Sequence, residues 1–113
     1  MERVSINELM QIERLLLEMN VRFKFDLSLG DSLKLYRYLR GVGEVTNFFF
    51  YIQDEYAQKN KDAEKLKEYN NRLVSEKIDF NIKEIQSFID TVSSRFDDES
   101  FNDLLSKTRF WVN

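Results

Sequence analysis

Apolar and polar residues alternate strictly in two short stretches of this chain, residues 21–27 and 78–82. Strict alternation sends successive side chains to opposite faces of an extended backbone, which is typical of a half-buried strand. A two-stranded sheet is marginal by itself, so we expect the two strands to pair antiparallel and to lie against a helix. The residues expected on the buried side are Phe23, Phe25, Phe80 and Ile82.

The rest of the chain repeats its apolar residues with a helical period. Ser5 and Glu8 form a capping-box pattern, which predicts that a first helix begins there; its stripe ends near Asn20. Ser28 and Asp31 are caps for a long second helix, which we expect to run to about Asn60. A third helix should return antiparallel along the second, and a fourth and a short fifth helix should follow the second strand. The stripes are Ile6, Leu9, Ile12, Leu16 and Met19; Leu35, Tyr38, Leu39, Val42, Val45, Phe49, Ile52 and Tyr56; Leu66, Tyr69 and Leu73; Ile85, Phe88, Ile89, Val92 and Phe96; and Phe101, Leu104 and Leu105.

These patterns predict an α+β fold that is predominantly helical. We expect four to five helices, a long antiparallel helical hairpin and one small two-stranded antiparallel sheet. With 113 residues, of which 42% are hydrophobic, the chain is expected to form a single globular domain over residues 1–113. A chain of this length buries about two thirds of its unfolded surface.

Charge and composition exclude several classes of function. The formal net charge is −3, from 17 basic and 20 acidic residues spread evenly along the chain, which disfavours binding to a phosphate backbone. Cysteine and histidine are absent, so disulfides, thiolate metal sites and nucleophiles activated by histidine are excluded. We expect no cofactor, no metal and no enzymatic activity. The longest apolar run is Phe48 to Ile52, and no apolar segment follows Met1 to Arg3, so we expect a cytoplasmic protein without a membrane span or secretory signal.

Two segments of the second helix have compositions that also occur in ligand sites. Gly41 and Gly43 lie within the apolar helical period, so a phosphate-binding loop is disfavoured and the glycines mark a kink or a close helix contact. The segment Lys34 to Arg40 is basic and aromatic, as in surfaces that stack on nucleic-acid bases. Because Glu44 follows Arg40 at helical spacing, we favour a solvated helix face with Tyr38 in the core.

Four carboxylates cluster near the start of the fifth helix, at Asp97, Asp98, Glu99 and Asp103. Their spacing does not match a calcium-binding loop. Acidic residues at a helix start are stabilised by the helix dipole, and this explanation is favoured over a metal site.

The aromatic pair Phe48 and Tyr51 is the feature hardest to explain as ordinary core, because both residues lie off the main stripe of the second helix. Two interpretations stay open. Either the fourth helix, Phe110 or Trp111 covers the two side chains, or the two side chains form a surface that binds a partner. Tyr and Phe are frequent in interface hot spots. The residues predicted to bind a partner are Phe48 and Tyr51, with Arg37, Arg40, Glu44 and Glu55 as a polar rim.

The order of elements over residues 6–105 resembles a family of small bacteriophage proteins of uncharacterised function. The resemblance rests on a short helix, a strand at Val21 to Phe25, a long charged helical hairpin, a strand at Lys77 to Ile82 and an acidic, apolar segment at 97–105. It implies a phage or mobile-element origin and supplies no catalytic residues. We expect a non-enzymatic interaction protein, such as an inhibitor, that binds and modulates a host or phage protein in the host cytoplasm. The alternative is a homo-oligomeric structural or assembly factor, and a nucleic-acid-binding accessory protein is less favoured.

Overall fold

The computed structural model describes residues 2–108, which form five helices and two short strands. In chain order the elements are β1 (Glu2–Ser5), α1 (Ile6–Phe23), α2 (Leu29–Lys59), α3 (Ala63–Ser75), β2 (Lys77–Phe80), α4 (Ile82–Arg95) and α5 (Glu99–Thr108). This architecture confirms the predicted α+β class with a predominance of helix and one small antiparallel sheet. Phe110 and Trp111, which are predicted as possible covers for Phe48 and Tyr51, lie outside the described residues.

The capping box at the start of α1 is confirmed. The Ser5 hydroxyl accepts a hydrogen bond from the Glu8 backbone N–H at 3.2 Å, and the Glu8 carboxylate accepts one from the Ser5 N–H at 2.9 Å. Both bonds satisfy backbone donors that the first helical turn leaves unpaired. The helix runs on to Phe23, three residues beyond the predicted end near Asn20.

The predicted strand at 21–27 is wrong. Residues 21–23 are the last turn of α1, and a short connection that includes Phe25 leads to α2. Phe23 is buried as expected, because it lies one helical turn after the buried Met19 and its ring stacks on that of Phe96 with the centroids 4.5 Å apart. Phe25 is 91% exposed. Positions i and i+4 share a face in both a strand and a helix. A short alternation therefore does not distinguish a strand from a helix.

The second predicted strand is correct from Ile78 to Phe80, but its partner is β1 rather than residues 21–27. The pairing is antiparallel and sets Val4 opposite Ile78. Ile82 is buried as expected, although it is the first residue of α4 and not part of the strand. With four residues and one buried side chain, that of Val4, β1 is too short for its alternation to be recognised.

The predicted hairpin of two long helices is confirmed in α2 and α3. The Ser28 hydroxyl accepts a hydrogen bond from the Asp31 N–H at 3.1 Å, and Asn60 caps the other end of α2. After the turn, α3 runs back along α2, and the rings of Tyr56 and Tyr69 stack with their centroids 3.9 Å apart.

The core is organised around α1, which contacts β1, α2, α3 and α5. Phe101 of α5 is fully buried and meets Phe23 edge to face, with the ring centroids 5.3 Å apart. α4 closes the other flank, where Phe88 packs against the ring of Tyr38 of α2. The buried hydrophobic residues are Val4, Ile6, Leu9, Ile12, Leu15, Leu16, Met19, Phe23, Leu35, Val42, Phe49, Ile82, Ile85, Phe88, Ile89, Val92, Phe101 and Leu105.

Candidate interaction surface

The residues predicted to bind a partner all lie along one side of α2. At 100° per residue they fall within an arc of about 80°, and they span about 27 Å of the helix. We call this side the aromatic face. It lies opposite the side of α2 that contacts α1 through Thr46. Its residues are Arg37, Arg40, Glu44, Phe48, Tyr51 and Glu55, of which only Glu55 is half-buried and the others are exposed.

The two aromatic side chains at the centre of this face are largely uncovered. Phe48 is 61% exposed and Tyr51 is 62% exposed, and their rings lie nearly parallel with the centroids 6.3 Å apart. Within residues 2–108, therefore, neither α4 nor any other element covers them. The interpretation that Phe110 or Trp111 provides the cover concerns residues outside that range.

An apolar cavity of about 200 Å³ adjoins Phe48 at the junction of four elements. Phe48 forms one edge of it, and Glu76 is its charged member. The apolar walls are Ile6 of α1, Val45, Phe49 and Ile52 of α2, Leu73 of α3 and Ile78 of β2. Sequence reasoning placed most of these residues on apolar stripes but did not predict the cavity, because it forms only where the junction of α1, α2, α3 and β2 is incompletely filled.

Ion pairs within α2 reduce the free charge around the aromatic face. Arg40 pairs with Glu44 at 3.4 Å, and Glu55 pairs with Lys59 at 3.2 Å. Exposed pairs at this helical spacing contribute only about 0.3–0.5 kcal/mol to stability. They do, however, leave a rim of acidic and basic side chains around an apolar centre, which is the usual arrangement in a protein interface.

The basic and aromatic segment from Lys34 to Arg40 does not form a single surface. Tyr38 packs into the core and its hydroxyl donates a hydrogen bond to Glu84 of α4 at 3.0 Å. Burial raises the pKa of Tyr38, and the hydrogen bond to Glu84 adds to the effect. Arg37 and Tyr36 are exposed on different sides of the helix. A nucleic-acid platform would need these rings and cations side by side.

The two glycines of α2 lie in uninterrupted helix and not in a loop, so they do not form a phosphate cradle. A Cβ atom built on Gly43 would lie 3.4 Å from the Glu13 carboxylate of α1. One built on Gly41 would lie 3.9 Å from the ring of Phe80. The glycines were expected to mark either a kink or a close contact between helices. The close contact, between α2 and α1, therefore applies to Gly43.

Two of the four acidic residues near α5, Asp98 and Asp103, have structural partners. Asp98 accepts a hydrogen bond from the Phe101 N–H at 2.8 Å, and Arg22 of α1 pairs with the same carboxylate at 3.2 Å. The bond from Phe101 is the main cause that lowers the pKa of Asp98, and Arg22 adds to it. Asp103 pairs with Lys107 at 2.9 Å. Residues 2–108 contain no group of three or more carboxylates arranged to hold a metal ion.

An open groove of about 880 Å³ lies between α4 and α5. The residues that line it include Ser93 and Ser94. Both hydroxyls donate hydrogen bonds to backbone carbonyls of their own helix, at 3.1 and 2.8 Å. These bonds belong to helix structure. They do not pair a nucleophile with a base.

Comparison with protein-family models, with curated proteins and with solved structures found no match to this chain. The strand at Val21 to Phe25, one element of the layout that resembles a phage protein family, is helix and turn in this structure. Over residues 2–108, the helices lack the combination of length and apolar content that a membrane span requires.

Proposed function

We propose that this chain is a non-enzymatic protein-binding module that acts through the aromatic face of α2. The observation that carries the proposal is the exposure of Phe48 beside an apolar cavity. In keeping with the resemblance stated above, the partner is a host or phage protein in the host cytoplasm whose activity the chain modulates.

The chemistry of the face defines the kind of partner that fits. An apolar cavity of about 150 Å³ accommodates a molecule the size of benzene, so the cavity beside Phe48 takes one apolar side chain. Phe48 and Tyr51 supply flat apolar area around that point, and the charges of Arg37 and Glu44 surround it. A partner segment with one large hydrophobic residue flanked by polar residues matches this arrangement.

The test uses the immobilised chain to capture proteins from a host lysate, followed by titration with the purified captured protein. Phe48→Glu should weaken binding by at least roughly thirtyfold, because a charge would stand at the centre of the interface. Its melting temperature should change by no more than about 2 °C, because Phe48 is mostly exposed.

Two control variants separate loss of the surface from loss of the fold. Asn71→Glu introduces the same charge on an exposed position of α3 and should leave binding unchanged. Phe48→Leu keeps an apolar side chain and should retain most of the affinity. Equal binding by Phe48→Glu and the unaltered chain would exclude the aromatic face, and so would a loss of binding that appears only together with unfolding.

A further inference from the structure

The pair of helices α1 and α2 has a second exposed apolar surface, on the side away from the core. Its members are 37% to 78% exposed, although all are large hydrophobic residues. We call this surface the outer face. It consists of Met10, Leu17 and Val21 of α1 and Leu29, Leu33, Tyr36 and Phe50 of α2.

The members from α1 form a stripe along the helix, with the exposed Arg14 between Met10 and Leu17. Met10, Leu17 and Val21 are spaced by seven and four residues, so they fall within an arc of about 40° at 100° per residue. They are separate from the stripe that α1 buries in the core. The members from α2 lie within a wider arc of about 100°.

Both sets border the same seam between the helices. The seam is marked by the Thr46 hydroxyl, which donates to the Glu13 carboxylate at 3.1 Å, and this contact fixes the antiparallel register of α1 and α2. On one side of the seam, Phe23 packs against Phe96 and Tyr38 packs against Phe88. Helical rotation places the outer-face residues on the other side of the seam. The two helices thus form a layer with apolar residues on both surfaces.

The exposed area fits an interface of ordinary size. Taking about 150 Å² for each side chain, the lower end of the range for aromatic residues, these residues expose roughly 600 Å². A typical stable interface buries about 800 Å² on each partner, which includes some polar surface. Scattered single hydrophobic residues are normal on a protein surface, whereas a group of this size is characteristic of an association site.

The charges on the outer face are compatible with self-association. Arg40 borders the face on α2, and its charge is balanced by the ion pair with Glu44. Arg14 lies beside the stripe of α1, and arginine is enriched in interfaces because its stem packs on apolar surface. Two copies related by a two-fold axis would bring apolar surface against apolar surface, with the Glu13 carboxylate in the seam held by its hydrogen bond from Thr46 and Asp54 at the end of the face, one turn beyond Phe50.

From the exposed area and the layer geometry, we propose that the outer face binds a second copy of this chain. The two α1/α2 pairs pack face to face and form a four-helix layer, with Leu17 and Tyr36 near its centre. The members of this surface differ from those of the aromatic face, although Arg40 lies at the border of both, so the assembly does not depend on the partner-binding function proposed above.

Sedimentation equilibrium of the purified chain tests the proposal without any partner. The unaltered chain should have about twice the 13.6 kDa mass of one chain at micromolar concentration. Leu17→Glu and Tyr36→Glu, tested separately, should each raise the dissociation constant of the dimer by at least roughly a hundredfold, because each buries a charge in the interface. Both positions are about half exposed in one chain, so the helical circular dichroism signal should be retained.

Phe48→Glu and Asn71→Glu are the matched controls, and both should remain dimeric. A chain that stays at 13.6 kDa up to ~300 µM would overturn the proposal. A dimer that persists in both outer-face variants, or that only Phe48→Glu disrupts, would also overturn it. A monomer that floats with phosphatidylcholine and phosphatidylglycerol vesicles, and loses this behaviour in Leu17→Glu, would show that the occupant is lipid and not a second copy.

Discussion

Replacing each of the two glycines of α2 by alanine should have different effects on stability. Glycine in a helix interior costs about 1 kcal/mol relative to alanine, because it loses more backbone freedom on folding. At Gly41 the new Cβ would lie 3.9 Å from the Phe80 ring, which is ordinary van der Waals contact. Gly41→Ala should therefore raise the free energy of unfolding by about 1 kcal/mol, and the melting temperature by about 4 °C.

At Gly43 the same gain is opposed by the neighbouring helix. The new Cβ would lie 3.4 Å from the Glu13 carboxylate, so Glu13 must move by a few tenths of an ångström. That movement weakens the 3.1 Å hydrogen bond from Thr46, and such a bond contributes about 1 kcal/mol. The two effects nearly cancel, and we expect Gly43→Ala to change the free energy of unfolding by less than about 0.5 kcal/mol.

A double-mutant cycle isolates the opposing contact. In a Glu13→Ala background, Gly43→Ala should regain the full stabilisation of about 1 kcal/mol, while the gain from Gly41→Ala should be unchanged. Thr46 keeps a hydrogen bond to the Gly43 carbonyl at 3.2 Å in that background, so its hydroxyl retains a partner. The measurement is urea unfolding followed by circular dichroism. Equal effects of the two glycine substitutions, or a destabilising Gly41→Ala, would refute this account of the seam between α1 and α2.

Two further predictions concern the pH dependence and the core. Because the pKa of Asp98 is lowered on folding, its contribution to stability is complete above about pH 4 and is lost as the pH falls through the folded pKa. Asp98→Asn should therefore have a lower melting temperature than the unaltered chain at pH 7, and the difference should shrink as the pH falls through the folded pKa of Asp98; a constant difference would contradict the assignment. In urea unfolding, Phe101→Ala should cost about 3–5 kcal/mol because the side chain is fully buried, whereas Phe25→Asp should cost no more than about 0.5 kcal/mol. Comparable losses for both would mean that Phe25 is buried.

Local signals in the sequence were sufficient for the helices. The capping box of Ser5 and Glu8 and the cap at Ser28 act within one helical turn, so their residues specify the helix starts without reference to the rest of the chain. The stripe from Ile6 to Met19 has a single period over four turns, and all of its members are buried. The return of α3 along α2 was predicted from less, the polar turn at residues 60–62 and the short stripe of Leu66, Tyr69 and Leu73.

The strand pairing was not predictable in the same way. Residues 21–23 alternate as a strand would, but they extend a helix whose hydrogen bonds are local, and Phe23 meets Phe96 and Phe101 without leaving that helix. The partner of β2 is β1, more than seventy residues earlier in the chain. Pairing at such a separation depends on where the helices bring the two segments, and a four-residue strand has too little pattern to reveal it.

For the candidate surfaces, the sequence alone determined which large side chains lie off the main apolar stripe of α2, because helical rotation depends only on residue spacing. It therefore singled out Phe48 and Tyr51. Whether such residues are covered depends on the positions of other elements. Only the tertiary structure decided that Phe48 borders a cavity built from four elements, and that Leu17 and Tyr36 lie on a common outer face. Exposure is a property of the packed whole, since each side chain is buried or left open by residues distant in the chain.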